Sequence, residues 1–180
     1  MEVLFYMDLI ISERLVLSLG KVKDLTELEI IEKECEKYFS FDPQCELNHN
    51  KTIKECLTVR DIPTGGKKEN YYFYCIRQDN ILIGFLDYYL EYKEKDTVYF
   101  SSIYIKEAYR KNGIGKKIID AIINKFTLIG INEIYLHVSL RNAIAIQFWV
   151  KQGFDHIISV EHNGNLLPEN FGGIELMKRI

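Results

Sequence analysis

Apolar and polar positions alternate through Arg14-Leu15-Val16-Leu17-Ser18-Leu19, and this run of strand formers predicts a first strand. Asp24 is placed to cap a helix running to about Tyr38. Phe39-Ser40-Phe41-Asp42-Pro43 ends that helix, because the residue before a proline is pushed out of the helical region. A shorter helix is expected near Lys51 to Leu57. Tyr71 to Arg77 and Ile81 to Glu91 are aromatic and β-branched runs joined by Gln78-Asp79-Asn80, which predicts a tight hairpin. Thr97 to Ile105 adds another strand after a charged turn, so antiparallel strands follow one another in this part of the chain.

The period then changes. Ile114, Ile118, Ala121, Ile122, Phe126 and Ile129 recur at helical spacing, with Lys116, Lys117, Asp120 and Asn124 opposite them, and Gly130 ends this amphipathic helix. Ile134, Leu136 and Val138 alternate with Tyr135 and His137 as a strand. Asn142 caps a helix whose face holds Ala145, Phe148 and Trp149, and Gly153 terminates it. Two last strands, Phe154 to Glu161 and about Ile174 to Ile180, enclose a loop containing Asn163-Gly164. The polar stretch Pro63 to Asn70 is read as a loop within one domain covering residues 1–180, and no internal repeat is present.

Composition narrows the class. The chain has 180 residues, 47% hydrophobic and 27% charged, which suits a soluble globular domain. A net charge of -3 offers no general attraction for nucleic acid or anionic lipid, so neither is expected as a partner and any anion must be held locally. Cys35, Cys45, Cys56 and Cys75 form no C-x-x-C pair, which predicts reduced thiols and no metal site. The apolar opening from Met1 to Ile11 is interrupted by Glu2 and Asp8 and lacks both a basic leader and a small-residue cleavage site, and no run is long enough to span a bilayer. A cytoplasmic location is expected.

The chemistry points to Arg110-Lys111-Asn112-Gly113-Ile114-Gly115, between a strand and a helix. Glycines at a helix start let an anion approach the unpaired amides and the positive end of the helix dipole, and two cations stand beside them. A pyrophosphate suits that arrangement; a plain strand-to-helix turn with solvated lysines is the alternative. A dinucleotide fingerprint needs glycine where Ile118 stands, and a Walker loop needs Ser or Thr where Lys117 stands, so neither pattern fits.

Ile103 to Gly115 resembles motif A of the GNAT superfamily of N-acetyltransferases, an apolar strand followed by Arg/Gln-x-x-Gly-x-Gly/Ala. Asn142-x-x-Ala145-x-x-Phe148-Trp149-x-x-x-Gly153-Phe154 is similar to that family's motif B at matching spacing. The close resemblance covers about residues 97 to 155. It implies an α/β fold: a GNAT-like mixed, mostly antiparallel central sheet with splayed strands, flanked by helices on both faces. It also implies acetyl-coenzyme A as acyl donor. The backbone of Ile103, Tyr104 and Ile105 would line its pantetheine arm, Arg110, Lys111, Asn112, Gly113, Ile114, Gly115 and Lys116 would hold its pyrophosphate, and Asn142, Phe148 and Trp149 would flank it.

Two departures from the family pattern bear on catalysis. Relatives commonly place a tyrosine acid where this chain has Trp149, whose indole cannot give up a proton near neutral pH. Many place a glutamate in the strand that here runs from Thr97 to Ile105 without a carboxylate. Asp87 and Glu91 on the adjacent strand are substitutes by position, and Tyr104 or Tyr99 could supply a hydroxyl. Asp87 and Tyr104 are therefore the catalytic candidates, and His137 reads as an outward or hydrogen-bonded histidine. Phe39, Phe41 and Asp42 are candidates for receiving a cationic amine, or else only terminate the helix. The resulting expectation is transfer of an acetyl group to a primary amine of a small molecule. A protein N-terminus or lysine as acceptor, or a weakly catalytic coenzyme sensor, are the alternatives, in a monomer or homodimer.

Overall fold

The computed structural model describes residues 8–39, 52–58, 62–63, 65–162 and 172–180, the side chains of 36–39 excepted. The elements in chain order are β1 (Leu9–Ser12), β2 (Leu15–Leu19), α1 (Leu25–Phe39), α2 (Ile53–Thr58), β3 (Tyr71–Gln78), β4 (Ile81–Leu90), β5 (Thr97–Ile105), α3 (Ile114–Leu128), β6 (Glu133–Ser139), α4 (Ala143–Lys151), β7 (His156–His162) and β8 (Gly172–Arg179). They build one sheet in the order β1-β2-β3-β4-β5-β6-β8-β7. Among the described strands only β5 and β6 run parallel, and α3 makes the crossover that a parallel pair needs. The expected fold class is the one observed.

β3 shows why a central strand need not alternate in sequence. Tyr72, Tyr74 and Ile76 join the core under α3 and α4, while Tyr71, Phe73 and Cys75 join the one under α1 and α2. Both faces are covered, so the strand reads as an unbroken aromatic run. α3 sends Ile118, Ile119, Ile122 and Phe126 into the first core, and α1 sends Leu28 and Ile31 into the second. The helices thus lie on opposite faces of the sheet.

In β5 the alternation changes step. Val98 and Phe100 lie on the α3 side, and so do Ile103 and Ile105, which are odd-numbered. The cause is a β-bulge: Asp87 pairs with Ser102 and Tyr88 with Phe100, leaving Ser101 as the extra residue. Ser102 and Tyr104 are thereby turned to the α1 face, where Tyr104 enters the second core.

The expected β-hairpin at residues 78–80 is present, with Asp79 and Asn80 in the left-handed region at φ 51° and 65°. Two details differ from the sequence reading. Leu9–Ser12 forms a short edge strand that the apolar opening did not reveal. Asp24 closes a 3-10 turn before α1, accepting from the Lys21 amide at 2.9 Å, and also pairs with Arg77 at 2.8 Å. Cys35, Cys56 and Cys75 are free thiols, and burial, with Asp24 nearby, pushes the Cys75 thiol up to about 12. Among the described residues no cluster of His, Cys, Asp and Glu could hold a metal ion.

Phe154 is fully buried, 5.0 Å from Trp149 and 6.4 Å from Phe100 between ring centroids. Phe154→Ala should cost about 3–5 kcal/mol of stability, because a large cavity opens where three aromatic rings meet. Urea unfolding measures this as a lowered midpoint at unchanged slope.

Candidate active site

α3 begins without a side-chain cap. Gly113, at its N-cap position, has φ 74° and ψ 1°, a left-handed geometry that glycine adopts without strain, and it carries no side chain to close on the helix amides. The helix ladder takes up at Lys117, whose amide donates to the Gly113 carbonyl at 3.1 Å, so the amides of Ile114, Gly115 and Lys116 precede it at the helix start. A Cβ on Gly115 would meet the Phe148 ring at 3.1 Å and Ile105 Cδ1 at 3.7 Å. The start of α3, the Phe148 ring of α4 and the end of β5 therefore converge on one point.

The cations around the loop divide by role. Arg110 Nε donates to the Ile105 carbonyl at 2.7 Å and its guanidinium lies 4.8 Å from the Tyr104 ring centre, which braces the loop on β5. Lys116 pairs with Asp120 at 2.6 Å, while Lys111 and Lys117 are exposed beside the helix start. Asn112 is exposed as well.

Beside this helix start the sheet opens. Pairing between β5 and β6 stops at Phe100 and Leu136, although β5 continues to Ile105 and β6 to Ser139. The Lys106 amide donates to the Ile83 carbonyl of β4, so by alternation Tyr104 turns its backbone groups toward β4 and Ile103 and Ile105 turn theirs toward the opening. From Ile105 back to Ser101 the strand spans roughly 13 Å at its usual rise. An extended ligand arm can lie there as an added strand.

Trp149 closes the vertex of that opening. Its ring stacks on Phe100, the last paired residue, at 5.8 Å and 25°, and touches Phe148 and Phe154 edge-on at 5.0 Å each. It is 7% exposed and belongs to the core. Asn142 caps α4, its Oδ1 accepting from the Ala145 amide at 3.0 Å.

On the opposite face of β5 stands Asp87, only 2% exposed. Tyr71 donates to its Oδ2 at 3.0 Å and Ser102 donates to its Oδ1, so hydroxyls from both neighbouring strands meet one carboxylate. Tyr104 is directed elsewhere: its hydroxyl donates to Glu34 of α1 at 3.1 Å, and burial raises its pKa. Glu34 also accepts from the Glu107 amide at 2.8 Å, which ties α1 to the loop before α3. Glu91 lies among exposed groups, accepting from Asn70 at 3.1 Å. His137 is partly buried with Glu161 3.9 Å away. Tyr99, whose pKa is raised chiefly by burial, lies within the field of Tyr92, Glu175, Asp87 and Glu161. Of the acceptor candidates, Phe41 and Asp42 lie outside the described residues, as does the side chain of Phe39.

Ser102, Tyr71 and Glu34 were missed by sequence reasoning. The side to which Ser102 points depends on the bulge, which leaves no sequence mark, and Tyr71 is one of twelve tyrosines.

The chain matches the acetyltransferase (GNAT) family over residues 28–154 and belongs to that family of acetyl-coenzyme A-dependent N-acetyltransferases. No match was found among curated protein sequences. The fold is shared with an acetyltransferase of Salmonella typhimurium that modifies the N-terminal serine of ribosomal protein L7/L12, at TM-score 0.75 and 13% identity, over 97% of this chain and 99% of the other. It is shared also with the ribosomal-protein-S18-alanine N-acetyltransferase of Escherichia coli, at TM-score 0.65 and 17% identity, over 92% and 94%. A third similar structure is the microcin C7 self-immunity acetyltransferase in complex with acetyl-coenzyme A and AMP, at TM-score 0.69 and 13% identity, over 94% of each chain. No helix among the described residues is long and apolar enough to cross a membrane.

The placement of Trp149 predicts distinct outcomes for two substitutions. Trp149→Ala should lose about 3–5 kcal/mol through the cavity it leaves, whereas Trp149→Phe, which keeps an aromatic ring on Phe100, should lose less. Thermal melts of the two variants check the order.

Proposed function

We propose that the protein transfers the acetyl group of acetyl-coenzyme A to a primary amine of a small molecule. The observation that carries this reading is the uncapped start of α3 beside the open stretch of β5. The residues present fit the coenzyme. The amides from Gly113 to Lys116, with Lys111 and Lys117 at hand, suit a pyrophosphate, and Arg110 and Asn112 shape the loop that presents them. Ile103 and Ile105 offer backbone groups to the arm, while Phe148, Trp149 and the Asn142 cap form the wall from α4. The coenzyme supplies an acyl thioester, whose carbonyl a strand amide can polarise.

On the acceptor side, Glu175 is already ion-paired with Lys93 at 3.0 Å, so Asp87 and Glu161 are the carboxylates near Tyr99 that favour a cationic amine over an anionic acceptor. Asp87 is the candidate to take the amine's proton. Tyr104, with its hydroxyl on Glu34, holds the α1 side of the site in place. We place the enzyme in the cytoplasm, as one domain acting without metal or nucleic acid.

The test follows thiol release from acetyl-coenzyme A across a panel of small amines and N-terminal peptides. Turnover with one or more small amines, faster than with any peptide, is expected; turnover with peptides alone would move the acceptor to protein. Saturating coenzyme A, at a hundred times its dissociation constant, should add about 2.7 kcal/mol of stability in a thermal shift. Gly113→Asp gives the sharper variant. Aspartate tolerates the left-handed geometry better than most residues, so the fold should survive while its carboxylate repels the pyrophosphate. Calorimetry should find coenzyme affinity lower by roughly tenfold or more. Gly115→Glu should also abolish binding, but there the new side chain would press on Phe148.

A further inference from the structure

We propose that Ser102 takes the proton of the incoming amine and hands its own hydroxyl proton to Asp87, a relay that rests on the acetyl-transfer reading above. Asp87 is too deeply buried for a substrate to reach directly, whereas Ser102 is only partly buried and lies on the stretch of β5 that β6 has left. The two are joined already, Ser102 donating to Asp87 Oδ1. Tyr71 donates to the other oxygen at 3.0 Å and so fixes the carboxylate's orientation toward Ser102.

The bulge at Ser101 is what makes this contact. In an unbroken strand Ser102 would share a face with Val98 and Phe100 and point into the core under α3. With the extra residue it faces Asp87 instead, two residues from Phe100 at the vertex where the opening ends. Bulges re-aim side chains in this way beside active sites. β5 carries no carboxylate of its own, so the acid is supplied from β4 through the serine.

The proton account closes. The cationic amine first gives one proton to solvent, which leaves a neutral nitrogen with a free lone pair. As that nitrogen bonds to the acyl carbon and the carbon–sulfur bond breaks, a second amine proton passes to Ser102 Oγ, whose own proton passes to Asp87. Asp87 returns it to solvent through Ser102, and solvent gives the departing thiolate the one proton it needs, so one proton is released overall. Ser102 is thus the catalytic residue that touches the amine, and Tyr71 is a positioning residue.

Two measurements test the proposal. In Ser102→Cys, iodoacetamide should alkylate position 102 and saturating coenzyme A should slow that reaction by roughly tenfold or more, since the arm lies over it. Ser102→Ala and Asp87→Asn should each lower turnover, on the amine the wild type uses fastest, by about tenfold or more, and the double variant should fall no further than the slower single one. Ser102→Thr, which keeps the hydroxyl, should recover most of the rate, and melts report folding. Multiplying losses, a Ser102→Ala rate within twofold of wild type, or alkylation untouched by coenzyme A that calorimetry shows to be bound would each overturn the relay. Failure of the wild type to bind coenzyme A would instead overturn the acetyl-transfer reading, and the relay with it.

Discussion

The site depends on one departure from regular sheet pairing: β5 and β6 stay together for four residue pairs, Thr97–Glu133 to Phe100–Leu136, and then part. A strand interior that loses its neighbour exposes backbone donors and acceptors, which is costly unless another group meets them. Here the loss falls beside the start of a helix that also has amides to satisfy. Backbone groups that β6 leaves along β5, apart from the Ile105 carbonyl that Arg110 meets, and amides at a helix terminus thus face the same space, and a ligand with an extended amide-bearing arm and an anionic end answers both. The aromatic cluster of Phe100, Trp149 and Phe154 keeps the strands apart beyond the last pair, because closing the gap would require a packed core to rearrange.

The two faces of the sheet then carry different tasks. Under α3 and α4 the packing is apolar and fixes the geometry of the opening. Under α1 the contacts turn polar next to the opening: Asp87 with Tyr71 and Ser102, and Glu34 with Tyr104 and the Glu107 amide. Glu34 links α1 to β5 and to the loop that leads into α3. A shift of α1 would therefore be felt at that loop. Such buried polar groups add little net stability, but satisfying them fixes a single arrangement.

Most of the fold was legible from periodicity. The 3.6-residue repeat from Ile114 to Phe126 and the Asn142 cap gave α3 and α4 nearly to the residue, and the glycine loop marked the turn at which α3 starts without a side-chain cap. Trp149 was legible on the apolar face of α4, though its stacking on Phe100 at the last β5–β6 pair was not, since periodicity does not say which distant residue a core side chain meets. Ser102 was hidden for a firmer reason. Period-two reading assumes that parity persists along a strand, and the single extra residue at Ser101 reverses it midway. The edge strand at Leu9–Ser12 was obscured because an edge pairs on one side only, and four residues are too few to show a period.

The central claim is that the open backbone of β5 and the start of α3 form one coenzyme site. Amide chemical shifts measured while coenzyme A is titrated into the labelled protein test it most directly. The account predicts that the largest changes fall on Ile103, Ile105 and the amides from Gly113 to Lys116, with those of β1 and β2 left in place. Saturable changes centred instead on β1 and β2, with residues 103–116 unmoved, would contradict it.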